Sequence, residues 1–198
     1  MSEFWNSRYS NETYIYGEQP NAFLAEQLSS LQLGRILFPC EGEGRNAVYA
    51  ATQGWETMAF DSSTAGRQKA LQLADKKGVH ITYDITDATQ ATYPEVHFDA
   101  IALIFAHFTP DIRPDIHSQC IAWLKPGGTL ILEAFHPTQL GKSSGGPKDL
   151  QLLFDEQQLA SDFASLQCMQ LEVASVELSE GTHHIGMASV IRYVGRKI

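Results

Sequence analysis

The sequence predicts an α/β fold, in which helices cover both faces of a largely parallel β-sheet, and three observations support it. From Arg35 onward, short apolar runs alternate with amphipathic segments. The run from Asp99 to Phe105 is nearly all apolar, which is typical of a central strand covered on both faces. Near the end of the chain, two strand-like runs are joined by so short a turn that they must pair antiparallel.

The elements follow in chain order. Five runs predict parallel strands: Arg35 to Pro39, Glu56 to Phe60, Val79 to Tyr83, Asp99 to Phe105 and Thr129 to Glu133. The terminal hairpin is predicted over Met169 to Glu177 and Ile185 to Val194. Helices are predicted at about Arg45 to Gln53, from a cap at Ser62 or Ser63 to Gly78, at Pro114 to Leu124 and at about Asp155 to Phe163.

Aromatic residues are concentrated in the first 34 residues, which we call the leader. Six of them lie in its first 23 residues, so folded structure must bury them. Pro20-Asn21 can open a short helix with Phe23, Leu24 and Leu28 facing inward. We therefore expect one domain over residues 1–198, with the leader at 1–34 and the α/β core at 35–198.

Composition restricts the function. The 198 residues carry 14 basic and 23 acidic side chains, a formal charge of −9, so phosphate backbones and anionic lipids are disfavoured partners. The cysteines, Cys40, Cys120 and Cys168, are too widely spaced for a zinc knuckle or a disulfide framework, and no metal is expected. No signal-peptide pattern begins the chain. We expect a cytoplasmic protein, either a monomer or a weak homodimer, that binds neither nucleic acid nor membrane.

A glycine motif stands between the first strand and the next helix. Gly42, Gly44 and Ala47 form G-x-G-x-x-A, so the backbone can approach a ligand at the helix N-terminus. Asp61 ends strand two, 19 residues after Gly42, where a carboxylate can accept hydrogen bonds from both hydroxyls of a ribose. Together they indicate a nucleoside-containing ligand; a tight structural turn beside a surface aspartate is the alternative.

Charges in the loop favour one nucleoside cofactor over another. Glu41 and Glu43 flank Gly42, where a dinucleotide would place its pyrophosphate, and carboxylates beside a dianion are unfavourable. S-adenosylmethionine instead presents an ammonium, a carboxylate and a sulfonium. The acidic loop suits the cationic groups, which leaves Arg45 and the helix N-terminus for the carboxylate.

These residues resemble the successive motifs of class I S-adenosylmethionine-dependent methyltransferases. The segments that carry the resemblance are Ile36 to Ala47, Asp61, Asp84 and Leu124 to Leu130. In the leader, Trp5, Arg8-Tyr9, Tyr16-Gly17, Pro20-Asn21 and Phe23-Leu24 are similar to the start of small methyltransferases of the tellurite-resistance and thiopurine type. The resemblance implies a Rossmann-like three-layer α/β/α sandwich with a seven-stranded sheet, in the order 3-2-1-4-5-7-6 with strand seven antiparallel.

The resemblance also implies a cofactor site. Gly42 and Gly44 would lie against the methionine part of S-adenosylmethionine, Asp61 would bind the ribose, and Asp84 with Ile85 would frame the adenine. Class I enzymes commonly have an acidic residue and a glycine where this chain has Phe38 and Cys40, and Glu41 could supply the missing charge. Further candidate cofactor contacts are Ser62 and Phe105, and the product would be S-adenosylhomocysteine.

The implied reaction is in-line displacement of the methyl group by a small-molecule acceptor. Trp5, Tyr9 and Tyr16 could fold over the sulfonium as a lid, or pack against the sheet edge. His107 follows strand four and His136 follows strand five, so both are candidate proton acceptors, and Tyr9 is a third candidate catalytic residue. Either histidine could instead be satisfied by loop backbone.

Two other functions stay open from the sequence. Phe38 and Cys40 in the first motif allow a non-catalytic, regulatory protein that binds S-adenosylmethionine. The glycine motif with Asp61 would by itself also allow an NAD-dependent oxidoreductase.

Overall fold

The computed structural model describes residues 2–198, which form helices around one seven-stranded sheet. The helices are α1 (Ser2–Tyr9), α2 (Ala22–Ser30), α3 (Arg45–Thr52), α4 (Thr64–Lys77), α5 (Arg113–Trp123) and α6 (Glu156–Asp162). The strands are β1 (Arg35–Pro39), β2 (Glu56–Asp61), β3 (Thr82–Ile85), β4 (Phe98–Ile104), β5 (Leu124–Phe135), β6 (Leu166–Glu180) and β7 (His184–Lys197). Short 3₁₀ turns cover Pro137–Gln139 and Leu150–Leu152.

The strand order is β3-β2-β1-β4-β5-β7-β6, which confirms the predicted topology. Neighbouring strands from β3 across to β5 pair in parallel, whereas β7 pairs antiparallel with both β5 and β6. The chain reverses its direction of winding between β1 and β4. In open α/β sheets, ligands bind at the carboxyl ends of the strands at such a switch point.

Two apolar layers enclose the sheet, because alternate residues of its central strands point to opposite faces. On β4, Ala100 and Ala102 pack with α2, α3 and α4, while Ile101 and Leu103 pack with α5 and α6. All four are essentially inaccessible to solvent. The three-layer arrangement is therefore confirmed, and it explains why β4 is nearly all apolar in sequence.

Two predicted helix starts are confirmed by their caps. Ser63, rather than Ser62, caps α4 by accepting a hydrogen bond from the Gly66 amide, and Gly78 ends that helix in the left-handed conformation. Asn21 caps α2 by accepting from the Leu24 amide. Local side-chain chemistry thus sets these boundaries.

Five elements differ from the predictions, among them β5, which begins at Leu124 instead of Thr129. The leader begins with α1, which was not predicted because its sequence has little helical apolar periodicity. The third strand starts at Thr82 instead of Val79. The terminal strands are longer than expected, so the hairpin turn is only Gly181–His183 and the tip extends beyond the β5 pairing. Within residues 2–198, no helix combines the length and the apolar character needed to cross a membrane.

Candidate functional site

Backbone strain marks the carboxyl ends of the two central strands. Cys40 follows β1 with a φ of 56°, and Phe105 follows β4 with a φ of 53°, although neither is glycine. Non-glycine residues in this left-handed region cost free energy and cluster at functional sites. The two positions flank the switch point between β1 and β4, where the sequence predicted the ligand.

The two glycines of the loop have different neighbours. Gly42 has a φ of 63°, and a Cβ there would lie 2.6 Å from the Tyr9 hydroxyl oxygen. Gly44 has a φ of 87°, and a Cβ there would clash with the Cβ of Ala70 on α4. Gly42 therefore allows Tyr9 of the leader to pack closely on the loop, whereas Gly44 allows α3 and α4 to pack closely.

Asp61 is placed as a ribose-binding residue requires. Its carboxylate, at the end of β2, accepts hydrogen bonds from the Gly42 amide at 3.1 Å and the Ser63 amide at 2.8 Å. A carboxylate has about four acceptor positions, so two remain for further donors. Burial raises the pKa of Asp61. Ser62, the next residue, is half-buried beside it.

Glu41 lies at the start of α3 and holds its first turn. One carboxylate oxygen accepts from the Asn46 and Ala47 amides, each at 2.8 Å. Burial raises the pKa of Glu41 to about 7, although these hydrogen bonds and Arg45 oppose the shift. Within residues 2–198, no salt bridge joins Glu41 or Asp61 to a basic side chain. Two carboxylates without a cationic partner suit a positively charged ligand.

Glu43 does not share this arrangement, and the expectation that its charge faces a cofactor is wrong for this structure. Its carboxylate lies 2.5 Å from the Lys69 ammonium and accepts from the Ile15 amide at 2.8 Å. Lys69 also donates to the carbonyls of Asn11 and Thr13. The buried pair therefore attaches the leader to α4.

Arg45 is likewise engaged within the protein. Its guanidinium lies 2.9 Å from Glu180 at the end of β6, and both side chains are largely buried. Asn21 also donates to Glu180, at 3.3 Å, and to the buried Glu133 at 2.6 Å. For Arg45 to bind a cofactor carboxylate as predicted, its ion pair with Glu180 would have to be shared or broken.

The leader covers the loop that follows β1. Asn6 of α1 accepts hydrogen bonds from the Ser63 hydroxyl and the Ala65 amide at the start of α4. Trp5 stacks on Tyr9, with ring centroids 5.4 Å apart, and Tyr9 is buried against Gly42. Arg8 donates to the Tyr16 hydroxyl at 3.1 Å. The structure thus brings the three predicted lid aromatics to the candidate site.

Asp84 and Ile85 end β3, beside the carboxyl end of β2. Asp61 and Ile85 are paired in register, and Asp84 accepts a hydrogen bond from the Tyr93 hydroxyl at 2.9 Å. Ile85 is 48% exposed, which is unusual for so large an apolar side chain at a strand end. An adenine ring could cover this surface.

Both predicted catalytic histidines are engaged locally. Nδ1 of His107 lies 2.6 Å from the Leu152 carbonyl, while Nε2 faces the Phe135 amide at 3.5 Å. Burial lowers the pKa of His107 to about 4. Nδ1 of His136 caps a 3₁₀ turn through Thr138, and its Nε2 lies 3.4 Å from Glu156. These contacts correspond to the locally satisfied alternative for each histidine.

His184, which was not predicted, lies at the centre of the site. The hairpin tip folds back so that its ring packs against Tyr16, Phe105 and Phe135, with centroid distances of 4.5, 4.7 and 5.2 Å. Nδ1 of His184 lies 3.0 Å from Glu180. The sequence predicts the hairpin but not the direction in which its tip folds. Only the cross-strand pairing of Glu180 with His184 could have suggested that these two side chains meet.

A family model described as a methyltransferase domain matches residues 36–128. The matched region contains the glycine loop, Asp61 and Asp84, which lie at or beside the carboxyl ends of β1, β2 and β3. This match supports the predicted resemblance to class I S-adenosylmethionine-dependent methyltransferases, with S-adenosylmethionine as the cofactor. It favours a methyltransferase over the alternatives of an NAD-dependent oxidoreductase and a non-catalytic binding protein.

Known proteins resemble this chain along most of its length. A thiopurine S-methyltransferase of Legionella pneumophila is 24% identical over 98% of this chain and 96% of its own. The crystal structure of TehB from Haemophilus influenzae superposes with a TM-score of 0.74 at 15% identity, over 100% of this chain and 67% of that one. A structure from work on the conversion of a disulfide bond into a thioacetal group during echinomycin biosynthesis superposes with a TM-score of 0.76 at 17% identity. The superposition covers 100% of this chain and 92% of that one.

Proposed function

We propose that the methyltransferase methylates a small molecule that it encloses between its leader, its hairpin tip and the carboxyl ends of β1 and β4. The main support for this proposal is the contact between the leader and the hairpin tip, Gly181–His183. The Thr182 amide donates to the Ile15 carbonyl at 2.8 Å, and Gly181 packs so closely on Ile15 and Gly17 that a side chain there would clash. Such a roof over the strand ends favours a small acceptor over a folded macromolecule.

The cofactor would be held by residues whose geometry fits it. Asp61 has free acceptor positions for the ribose hydroxyls, Ile85 offers an apolar surface to the adenine, and Asp84 stands beside it. Gly42 would lie against the methionine part, and within residues 2–198 no salt bridge neutralises Glu41 or Asp61. S-adenosylmethionine, when bound, supplies an electrophilic methyl group on a cationic sulfur.

The chain's own contribution would be to position the reactants and to exclude water. Trp5, Tyr9 and Tyr16 would form the lid that closes over the cofactor, with Phe105 beside the methyl group. Roles for Gly44, Arg45 and Ser62 in cofactor binding, and for Tyr9, His107 and His136 in catalysis, remain predictions from the sequence. So do the single domain, the cytoplasmic location and the monomeric or weakly dimeric state.

Cofactor binding is tested by calorimetric titration with S-adenosylhomocysteine. We expect Asp61→Asn to lose roughly 1.5–3 kcal/mol of binding free energy, the scale of hydrogen bonds to a charged group. Asp75→Asn, at an exposed position of α4, is the matched control and should bind as the wild type does. Absence of binding at millimolar ligand would contradict the proposal, and unchanged affinity in Asp61→Asn would show that the ribose lies elsewhere.

The acceptor is tested by transfer of a labelled methyl group. Panels of small thiols, amines and hydroxyl compounds are compared with RNA and unfolded protein as acceptors. We expect label in small molecules only, and the resemblance to a thiopurine S-methyltransferase makes sulfur compounds the first to examine. Methylation of RNA or protein in preference to every small molecule would refute the enclosed-site argument.

A further inference from the structure

We propose that His184, oriented by Glu180, takes the proton of the methyl acceptor, and that this acceptor is a thiol bound in its protonated form. The inference rests on the proposed function, since it places the acceptor beside the same strand ends. Its basis is the position of His184 and the hydrogen bonds of its ring.

His184 occupies the right part of the site. Its ring contacts Phe105, which ends β4, and Tyr16 of the leader. Glu180, its partner, also binds Arg45, the residue that follows the glycine loop. The dyad of His184 and Glu180 is thus connected directly to the loop expected to hold the cofactor.

The hydrogen bonds determine the form of the His184 ring. Burial alone would raise the pKa of Glu180, but its contacts with His184 and Arg45 lower this pKa to about 2. The Glu180 carboxylate is therefore ionised and can only accept hydrogen bonds. Nδ1 of His184 must carry the proton, and in the neutral ring Nε2 holds the lone pair. No described residue donates to this Nε2.

Gly145 packs against the same edge of the ring. A Cβ on Gly145 would lie 2.6 Å from Cδ2 and 3.4 Å from Nε2 of His184, so this close approach requires a residue without a side chain. Gly145 has a φ of 110°, so a side chain at this position is disfavoured by the backbone as well. His107 differs from His184, because both its ring nitrogens have partners.

Charges around His184 keep it neutral until it accepts a proton. The titratable groups that face it are Glu180 on β6, Arg45 on α3, the neighbouring His183, Tyr16 of the leader and His107 after β4. Burial lowers the pKa of His184, with Arg45 and His183 acting in the same direction and Glu180 opposing them. Near neutral pH the ring is therefore a base.

The chemistry of the surroundings favours a thiol. The groups packed on His184 are aromatic, so an acceptor that is cheaply removed from water is preferred. Proton transfer is most efficient when the pKa values of donor and base are close, and a thiol near 8.5 matches imidazole better than an alcohol or phenol does. In the step, sulfur bonds to the methyl carbon and the carbon–sulfonium bond breaks. Its electron pair stays on the departing thioether, and the thiol proton moves to Nε2, from which it is released to solvent.

Two aromatic thiols provide the test. At neutral pH phenylmethanethiol is protonated, whereas 4-nitrothiophenol is already ionised. We expect His184→Asn, which retains a donor toward Glu180, to lower kcat/KM for phenylmethanethiol by about 100-fold. For 4-nitrothiophenol the loss should stay below about threefold. His80→Asn, at an exposed position between α4 and β3, is the matched control and should change neither value.

The pH profile separates a base from a packing residue. In the wild type, kcat/KM for phenylmethanethiol should be level near neutral pH. In His184→Asn it should rise about tenfold per pH unit, because the thiolate must then form in solution. Nitrogen-correlated NMR spectra should show His184 protonated on Nδ1. The proposal is overturned if kcat/KM of the wild type for phenylmethanethiol already rises tenfold per pH unit. It is also overturned if His184→Asn lowers kcat/KM equally for both thiols, or if NMR finds the His184 proton on Nε2.

Titration with S-adenosylhomocysteine distinguishes the two levels of failure. If the wild type binds it but methylates neither thiol, the inference about His184 fails and the proposed function stands. If the wild type does not bind it, the proposed function itself fails. If His184→Asn has lost binding, the wild-type pH profile and the NMR tautomer decide the inference.

Discussion

The buried pair of Lys69 and Glu43 gives the sharpest prediction for stability. Both residues are less than a tenth exposed, and their charged atoms are 2.5 Å apart. Lys69→Met removes the ammonium, so the Glu43 carboxylate remains buried with only the Ile15 and Tyr16 amides as donors. Two backbone carbonyls, of Asn11 and Thr13, lose their donor as well.

Breaking a buried pair by removing one partner costs about 3–5 kcal/mol. For a chain of this size each kcal/mol lowers Tm by roughly 2–4 °C, so we expect Tm to fall by about 6–20 °C. The measurement is urea unfolding followed by circular dichroism, together with hydrogen exchange at the Ile15 amide. Exchange there should accelerate, because this amide donates to Glu43.

Lys76→Met is the control on the same helix. Lys76 pairs with Glu18 at 2.7 Å, but the pair is substantially exposed, so its loss should cost less than about 1 kcal/mol. Glu43→Gln completes a double-mutant cycle with Lys69→Met, and the double variant should be more stable than the sum of the single losses predicts. An equal effect of Lys69→Met and Lys76→Met would refute the reasoning.

Two further predictions concern the glycine loop. Gly44→Ala should lower the free energy of unfolding in urea by at least about 2 kcal/mol more than Gly78→Ala does. Both glycines are left-handed, but only Gly44 faces Ala70 across a close contact. Equal losses in the two variants would contradict this. For Glu41, a folded-state pKa of about 7 against an ordinary value of 4.5 means that the folded chain binds more protons between these values, so stability falls as pH rises through this range. Glu41→Gln should remove up to about 3 kcal/mol of this decrease in the free energy of unfolding, as measured by urea unfolding at several pH values. If stability depends on pH in the same way in the variant and the wild type, Glu41 does not titrate in this range.

Much of the fold follows from local chemistry. β4 is apolar on both faces because helices cover both, and the alternation of runs predicted the five parallel strands, although β3 starts three residues later than predicted. The caps at Ser63 and Asn21 act on amides three residues away, so they are visible in the sequence. The candidate site was predicted by the same reasoning, since Gly42 follows β1 and Asp61 ends β2, and parallel strands bring such ends together.

The roles of the charged residues were harder to predict. Glu41 and Glu43 stand two positions apart in one loop, yet Glu41 holds α3 while Glu43 binds Lys69, 26 positions further along the chain. α1 was missed because its stability comes from contacts with α4 and not from its own periodicity.

The sequence alone therefore determined the α/β class, the glycine loop between β1 and α3 and the acidic residue that ends β2. These features depend on neighbours a few positions apart and on strand periodicity. Only the tertiary structure decided which charges remain unpaired and which histidine has a free ring nitrogen. Arg45 meets Glu180 across 135 positions, and the folded hairpin tip brings His184 against Phe105. Burial and pairing depend on segments that meet only when the chain folds, so residue type and spacing could not reveal them.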